Sequence, residues 1–240
     1  MKKEVHIGCS SFYTAAWRDV FYPKELPTKE WFDYYCKHFD TFEVNATFYK
    51  FPTLRIFQNW FNRTPDDFLL SVKAPKLITH INKFIDCERL LDDFYTRALE
   101  GLKHKLASVL FQFPPSYHYS QERLELIISK LNLYYNNVLE FRHESWWMPE
   151  VENKLAENNI TLCSVSHPNL PETIFMASSQ TYFRLHGRPS MFYSDYGTVD
   201  LEKFKDLILN NNSVKKVFVY FNNTASISGI LNAVEMKKLF

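Results

Sequence analysis

The sequence predicts an α/β fold, a single TIM-type (β/α)8 barrel over residues 1–240, irregular at the connection between its sixth and seventh strands. Three observations predict it. Eight short β-rich runs recur along the 240 residues, at a mean spacing of about 30, the size of one strand–helix repeat. Helical periodicity fills most of the gaps, and alternating strands and helices imply a parallel sheet. Polar residues recur two apart at the C-terminal ends of the runs, where barrels of this kind carry their active sites.

The runs are Val5–Ser10, Thr41–Ala46, Phe68–Ala74, Ala107–Phe113, Val138–Arg142, Thr161–Ser166, Thr181–His186 and Val217–Asn222. Between them, Thr28 is placed to cap a helix with Trp31, Phe32, Tyr35 and Phe39 on its apolar face. Thr53 precedes Phe57, Trp60 and Phe61. Asp86 precedes the stripe Leu90, Leu91, Phe94, Ala98 and Leu102, and Ser120 precedes Leu124, Ile127, Ile128 and Leu131. Asp200 precedes Leu201, Phe204, Leu207 and Ile208. Each start offers a side-chain oxygen to the free N–H groups of a first helical turn. A last helix buries Ile227, Ile230, Leu231 and Val234. The stretch between Ser166 and Thr181, with Pro168 and Pro171, is too short for a full crossover helix and marks the irregularity. No repeat or low-complexity linker suggests a second domain.

Composition narrows the function. The chain has 17% aromatic residues, only five glycines and a net charge of +1. Gly8, Gly101, Gly187, Gly197 and Gly229 are too scattered for a dinucleotide fingerprint or a Walker A loop. A charge near neutrality gives no global pull toward nucleic acid or an acidic membrane. Cys9, Cys36, Cys87 and Cys163 form no Cys-x-x-Cys pair, so they read as reduced thiols of a cytoplasmic protein. No apolar run is long enough for a signal peptide or a spanning helix.

The polar ladder carries the chemistry. Its pairs are Glu43 and Asn45, Ser71 and Lys73, Glu140 and Arg142, Ser164 and Ser166, Arg184 and His186, and Tyr220 and Asn222, with Gln112 ending a further strand. Residues two apart share one face, and this set is expected to face the barrel axis at its C-terminal mouth. Lys73, Arg142, Arg184 and Arg188 suit a phosphate or carboxylate. Glu43, Glu140 and His186 are the candidate proton-transfer groups. Asn45, Gln112, Tyr220 and Asn222 can orient hydroxyls or amides. Trp17, Tyr49 and Trp146 are expected to present stacking faces to a sugar or base. Gly8 and Gly187 fall at or just past strand ends, where a missing side chain permits close approach. No Gly-x-Ser-x-Gly motif marks a serine nucleophile.

These same segments resemble the bacterial and archaeal domain of unknown function seventy-two, or YecE-like, family. The resemblance rests on Ile7-Gly8-Cys9-Ser10-Ser11, Trp17 with Phe21-Tyr22-Pro23, Phe42-Glu43-Val44-Asn45-Ala46-Thr47-Phe48-Tyr49, and Val72-Lys73-Ala74-Pro75 with Ile78-Thr79-His80. It continues through Leu110-Phe111-Gln112-Phe113-Pro114-Pro115, Glu140-Phe141-Arg142-His143 with Ser145-Trp146, and Phe183-Arg184-Leu185-His186-Gly187-Arg188. Val219-Tyr220-Phe221-Asn222-Asn223 and Asn232-Ala233 close it. It spans essentially the whole chain. Ser11 and Phe12 stand where the family commonly has Gly and Trp, and the segment from Pro168 to Gln180 is leaner than the family's long sixth loop. The resemblance implies a TIM-type barrel and no established activity.

Three functions are then expected in descending order. The first is an enzyme using carboxylate acid/base chemistry on a small anionic ligand, a phosphorylated sugar or nucleotide-like molecule, with no cofactor. The second is a metal-dependent phosphodiester hydrolase or sugar isomerase, with Glu43, Glu140 and His186 as ligands to a divalent metal; the neighbouring Lys and Arg side chains repel such an ion. The third is a non-catalytic module that binds a metabolite or a nucleic-acid strand.

Overall fold

The computed structural model describes residues 3–240. Among the described residues there are nine strands: β1 Glu4–Cys9, β2 Thr41–Val44, β3 Leu69–Lys73, β4 Leu106–Phe113, β5 Asn137–Phe141, β6 Thr161–Leu162, β7 Ser164–Ser166, β8 Gln180–Leu185 and β9 Lys216–Phe221. Eight α-helices accompany them: α1 Trp31–Cys36, α2 Ala46–Tyr49, α3 Leu54–Arg63, α4 Glu88–Leu102, α5 Gln121–Lys130, α6 Pro149–Glu157, α7 Thr198–Asn210 and α8 Ser228–Lys237. The result is a mixed α/β fold with one four-stranded sheet, ordered β1-β9-β8-β7, and one five-stranded sheet, ordered β2-β3-β4-β5-β6. The chain falls into two compact units, one comprising the residues up to Glu43 together with Ser164–Phe240, the other Val44–Cys163.

In the first unit every strand pair is parallel. Parallel pairing in register gives partners the same face, so Gly8, Tyr220 and Arg184 line up across β1, β9 and β8. Gly8 is required here. A Cβ at this position would stand 2.4 Å from the Thr41 carbonyl oxygen and 2.9 Å from the Tyr35 hydroxyl. Trp31, Phe32 and Tyr35 of α1 are all buried, as their spacing predicts.

In the second unit β3, β4, β5 and β6 also pair in parallel. Helix α4 buries Leu91, Phe94, Tyr95, Ala98 and Leu102, the predicted stripe with Tyr95 replacing Leu90. Gly101 lets α3 approach, since a Cβ there would lie 2.3 Å from that of Phe57. Ser120 caps α5, its hydroxyl accepting from the Arg123 N–H at 3.3 Å. Lys105 ends α3 from outside: its buried ammonium donates to the carbonyls of Phe61 and Thr64 at 2.9 and 2.8 Å. A cation on the last carbonyls satisfies groups that the helix itself leaves open.

Several expectations are corrected. Thr28 opens a 3-10 turn instead of capping α1, whose N-cap is Glu30, and Thr53 takes the N-cap position of α3 without a side-chain hydrogen bond. The run Thr161–Ser166 is two strands rather than one. The Cys163 N–H still donates to Leu139 of β5 at 2.8 Å, and the next residue begins pairing with β8. Ser164 and Ser166 are therefore partners of Phe183 and Leu185, while Val165 partners Arg184. The two serines face away from Arg184 and leave the polar ladder; Ser164 Oγ accepts from Phe175 N–H at 2.8 Å instead. Helix α8 is turned from its predicted phase: Ile227 and Leu231 are 38% and 43% exposed, and Asn232 is buried. The Asn232 amide exchanges hydrogen bonds with the Tyr196 backbone at 3.0 and 2.8 Å, which holds a polar side chain on the inner face. Asp86 does not cap α4, which starts at Glu88 after Cys87. Asp200 lies inside the first turn of α7, whose N-cap is Gly197. As predicted, no helix forms between Ser166 and Gln180.

Gly8→Ala is expected to lose about 1–3 kcal/mol of stability in urea unfolding, because backbone must move to admit the methyl. Gly197→Ala, whose Cβ would meet only the Asp200 carboxylate at 3.9 Å, stays within about 1 kcal/mol of the wild type.

Candidate functional site

The first unit brings together Glu43, Tyr182, Arg184 and Asn222. Glu43 has no exposed surface and Arg184 is 2% exposed. The guanidinium approaches both carboxylate oxygens, Nε at 3.1 and 3.0 Å and Nη2 at 2.7 Å. The Tyr182 hydroxyl donates to Oε2 at 2.7 Å and the Asn222 amide to Oε1 at 3.2 Å. Burial alone would raise the Glu43 pKa, yet the Arg184 charge and these hydrogen bonds together hold it below the ordinary carboxylate value. Beside them Tyr220, fully buried, shares a hydrogen bond with Thr41 Oγ1 at 2.5 Å. His186 is 3% exposed, and its backbone N–H donates to Ser166 O at 2.9 Å. Its ring meets those of His167 and Phe192 edge-on, with centroids 5.8 and 6.0 Å apart. This cluster is a saturated ion pair: the carboxylate stays ionised and the guanidinium is committed to it.

The second unit holds a different cluster. Register pairs Gln112 with Glu140 and Lys73 with Leu110, two residues before Gln112. Lys73, Gln112 and Glu140 thus share one face at the C-terminal ends of β3, β4 and β5. Lys73 is 8% exposed and Glu140 fully buried. The Lys73 ammonium donates to Gln112 Oε1 at 3.0 Å and stands 3.9 Å from the centre of the Phe48 ring. Thr47 Oγ1 donates to the Lys73 carbonyl at 2.6 Å, tying α2 to the end of β3. Arg142 Nε donates to Glu140 Oε1. Asn45 is half-buried at the N-cap position of α2.

His80 belongs to this cluster, and the ladder of strand-end residues did not contain it. It sits on a π-helical turn, Leu77–Ile81, a geometry frequent at functional sites. Its Nδ1 shares a hydrogen bond with Thr79 Oγ1 at 2.9 Å, and its ring meets Phe48 edge-on at 5.0 Å. Partial burial lowers its pKa first, the charges of Lys73 and Arg142 lower it further, and Glu140 opposes them, leaving it at about 4. A neutral imidazole at pH 7 in an electropositive, partly dry setting can accept or pass a proton. The only sequence signal for it was the family motif Ile78-Thr79-His80.

Of the remaining candidates, Tyr49 adjoins the second cluster, its ring 5.2 Å from that of Phe48. Arg188 pairs with Glu172 at 3.0 Å beside a cleft of about 280 Å³ that Phe183, Leu185 and Phe204 also line. Trp17 and Trp146 have no exposed surface, so neither presents a stacking face. Trp17 donates from Nε1 to Ser226 O at 2.8 Å and Trp146 to Tyr117 O at 2.6 Å, and Trp146 stacks on Phe141 at 3.9 Å. Tyr49 is 74% exposed, the one ring of the three that is open to solvent. Gly187 adopts φ +90°, a turn conformation that glycine takes without strain. Among the described residues no three His, Cys, Asp or Glu side chains converge in a way that could hold a metal ion. No helix among them is long and apolar enough to cross a membrane.

Two measurements test this geometry. Histidine-detected NMR should show the His80 ring neutral throughout pH 7 to 5, titrating near 4, with Lys73→Met moving the midpoint back toward the ordinary 6.5. A midpoint near 6.5 in the wild type contradicts the cluster. Arg184→Met, which strands the Glu43 carboxylate, should cost about 3–5 kcal/mol at pH 7. Because Glu43 has a lowered pKa in the fold, its contribution is complete above the unfolded-state value and fades as pH falls through the folded one. The deficit of the variant should therefore shrink in acid.

The family model described as "Protein of unknown function DUF72" matches residues 6–240. The UPF0759 protein YunF of Bacillus subtilis is 27% identical over an alignment covering 92% of this chain and 90% of YunF. The UPF0759 protein YecE of Escherichia coli K12 is 30% identical over 83 residues, 35% of this chain and 30% of YecE. A DUF72 family protein of Thermotoga maritima, solved by crystallography, superposes with a TM-score of 0.86 at 29% identity, covering 98% of each chain. One from Enterococcus faecalis, at 20% identity, gives 0.83 over 98% of this chain and 94% of its own, a likeness of fold. With a model match running from His6 to the last residue and a full-length relative beside it, the chain belongs to the DUF72 family.

Proposed function

We propose that this protein is a cytoplasmic enzyme that acts on a small anionic substrate, a phosphorylated sugar or nucleotide-like molecule, by carboxylate acid/base chemistry. In this reading the strands belong to a TIM-type (β/α)8 barrel, irregular around the connection from Ser166 to Gln180, and the chemistry lies at the C-terminal strand ends. The observation that supports it most is the grouping of Lys73, Arg142, Glu140 and His80. Two cations and one buried carboxylate lie within electrostatic reach of one neutral imidazole, His80. That combination holds an anion and moves a proton.

Roles follow from the distances. Arg184 meets both oxygens of Glu43 through Nε and Nη2, and the anion is assigned to Lys73 and Arg142. Glu43 is held ionised and is assigned a structural part within the first unit, where it fixes Tyr182, Arg184 and Asn222. Glu140 and His80 are the proton-transfer groups. The exposed Tyr49 ring, packed against Phe48, supplies apolar contact for the body of the substrate. His186 and Arg188 are assigned no part in the proton transfer.

A thermal-shift screen against phosphorylated sugars and nucleotides tests the reading. At least one compound should stabilise the wild type, and Arg142→Met should weaken it by about tenfold or more, the loss of one charge-assisted hydrogen bond. If no anion binds, or if binding survives both Arg142→Met and Lys73→Met unchanged, the reading is wrong.

A further inference from the structure

Lys73 differs from Lys76, three residues further on, which is exposed. At 8% exposed Lys73 is nine-tenths buried, and it ends a strand whose last four residues are all buried. Its Nζ meets the flat face of Phe48 and the neutral amide of Gln112, at 3.9 and 3.0 Å. Arg142 acts on the same cluster, since it and Lys73 both bear on His80, and Glu140 bears on it with the opposite sign. Removal from water and a neighbouring cation are the two conditions under which a lysine amine becomes a nucleophile toward carbonyl carbon. A carboxylate and a neutral imidazole close by provide places for its protons to go.

We propose that Lys73 forms an imine with an aldehyde or ketone whose anionic group is held by Arg142. This rests on the anionic-substrate reading above and gives that substrate a chemical class, a carbonyl compound carrying a phosphate or carboxylate. Lys73 first passes one proton to the Glu140–His80 pair. The Nζ lone pair then attacks the carbonyl carbon, a C–N bond forms, and the C=O π pair moves to oxygen. The oxygen takes up a proton while nitrogen gives up its second. The C–O bond breaks, oxygen leaves as water with the other relayed proton, and the nitrogen lone pair closes the C=N bond. Ammonium plus carbonyl becomes iminium plus water, so atoms and charge balance and nothing is oxidised or reduced. Gln112, which donates to Phe113 O at 2.8 Å through its other end, keeps its carbonyl oxygen fixed as the acceptor for the remaining N–H.

Borohydride trapping tests this on the full chain. The protein is incubated with pyruvate or glyceraldehyde 3-phosphate, with and without sodium borohydride, and digested for peptide mass mapping. The expected result is a reduced secondary-amine adduct at Lys73, about tenfold or more above that at the exposed Lys37. The adduct at position 73 should vanish in Lys73→Arg. Arg142→Gln, which keeps the amine, should lower the yield with these anions but not with acetone. No adduct at Lys73, or labelling there no greater than at Lys37, overturns the proposal. Thermal shift with the same probes, without borohydride, separates the two readings. Stabilisation without an adduct leaves anion binding standing and removes the imine. Neither stabilisation nor an adduct removes both.

Discussion

In each unit a glutamate with no exposed surface is met by one arginine, Glu43 by Arg184 and Glu140 by Arg142. A carboxylate in that position has to be compensated, because desolvation costs several kcal/mol and one attraction rarely offsets it. The surrounding residues follow from that demand. At Glu43 the compensation is completed by the Tyr182 phenol and the Asn222 amide, and their strands are held in phase by the β8–β9 register. That register in turn depends on β1 lying beside β9, with Gly8 leaving room for the Thr41 carbonyl.

The two pairs are built differently. Glu43 receives a guanidinium, a phenol and an amide, and its lowered pKa is the sum of those donors acting against burial. Such a group is a fixed negative charge at any pH near neutrality. At Glu140 the same side-chain pairing stands among groups of mixed character: Arg142 on the carboxylate, Lys73 on an aromatic ring and an amide, and an imidazole kept neutral by burial and then by the cations. Ionisable groups perturbed in this way cluster at functional sites.

Much of this was legible in the sequence. Polar residues two apart at strand ends, with apolar residues between, placed Lys73, Glu140, Arg184, Tyr220 and Asn222 at the correct strand ends, and the registers confirm their shared faces within each unit. What failed has physical causes. The alternation rule assumes an unbroken strand. At Cys163 the chain leaves one ladder and joins another, which places Ser164 and Ser166 opposite to the face their spacing suggests. An indole near a strand end carries no mark of whether its face is open; Trp17 and Trp146 find backbone carbonyls for their N–H groups and are core. His80 lies seven residues past its strand on a π-helical turn, and neither a period of 2 nor one of 3.6 reaches it. Apolar spacing alone mis-phases helix α8, because the buried Asn232 pairs with Tyr196 on its inner face.

The scarcity of glycine acquires a consequence from the same geometry. A glycine cradle binds an anion with backbone N–H groups that have no competing partner. On the proposed function, an anion arriving here meets a guanidinium already bonded to Glu140 and an ammonium already bonded to Gln112. Binding is then an exchange of partners: as Arg142 turns to the ligand, the Glu140 carboxylate loses its compensating charge inside a buried setting. Loss of an opposing cation raises the proton affinity of a carboxylate, so occupation of the anion position and readiness of the carboxylate to take a proton are coupled through one side chain. A cradle of backbone amides has no such link. Side-chain cations make the base respond to the ligand, which fits a chain that carries five glycines and no phosphate loop.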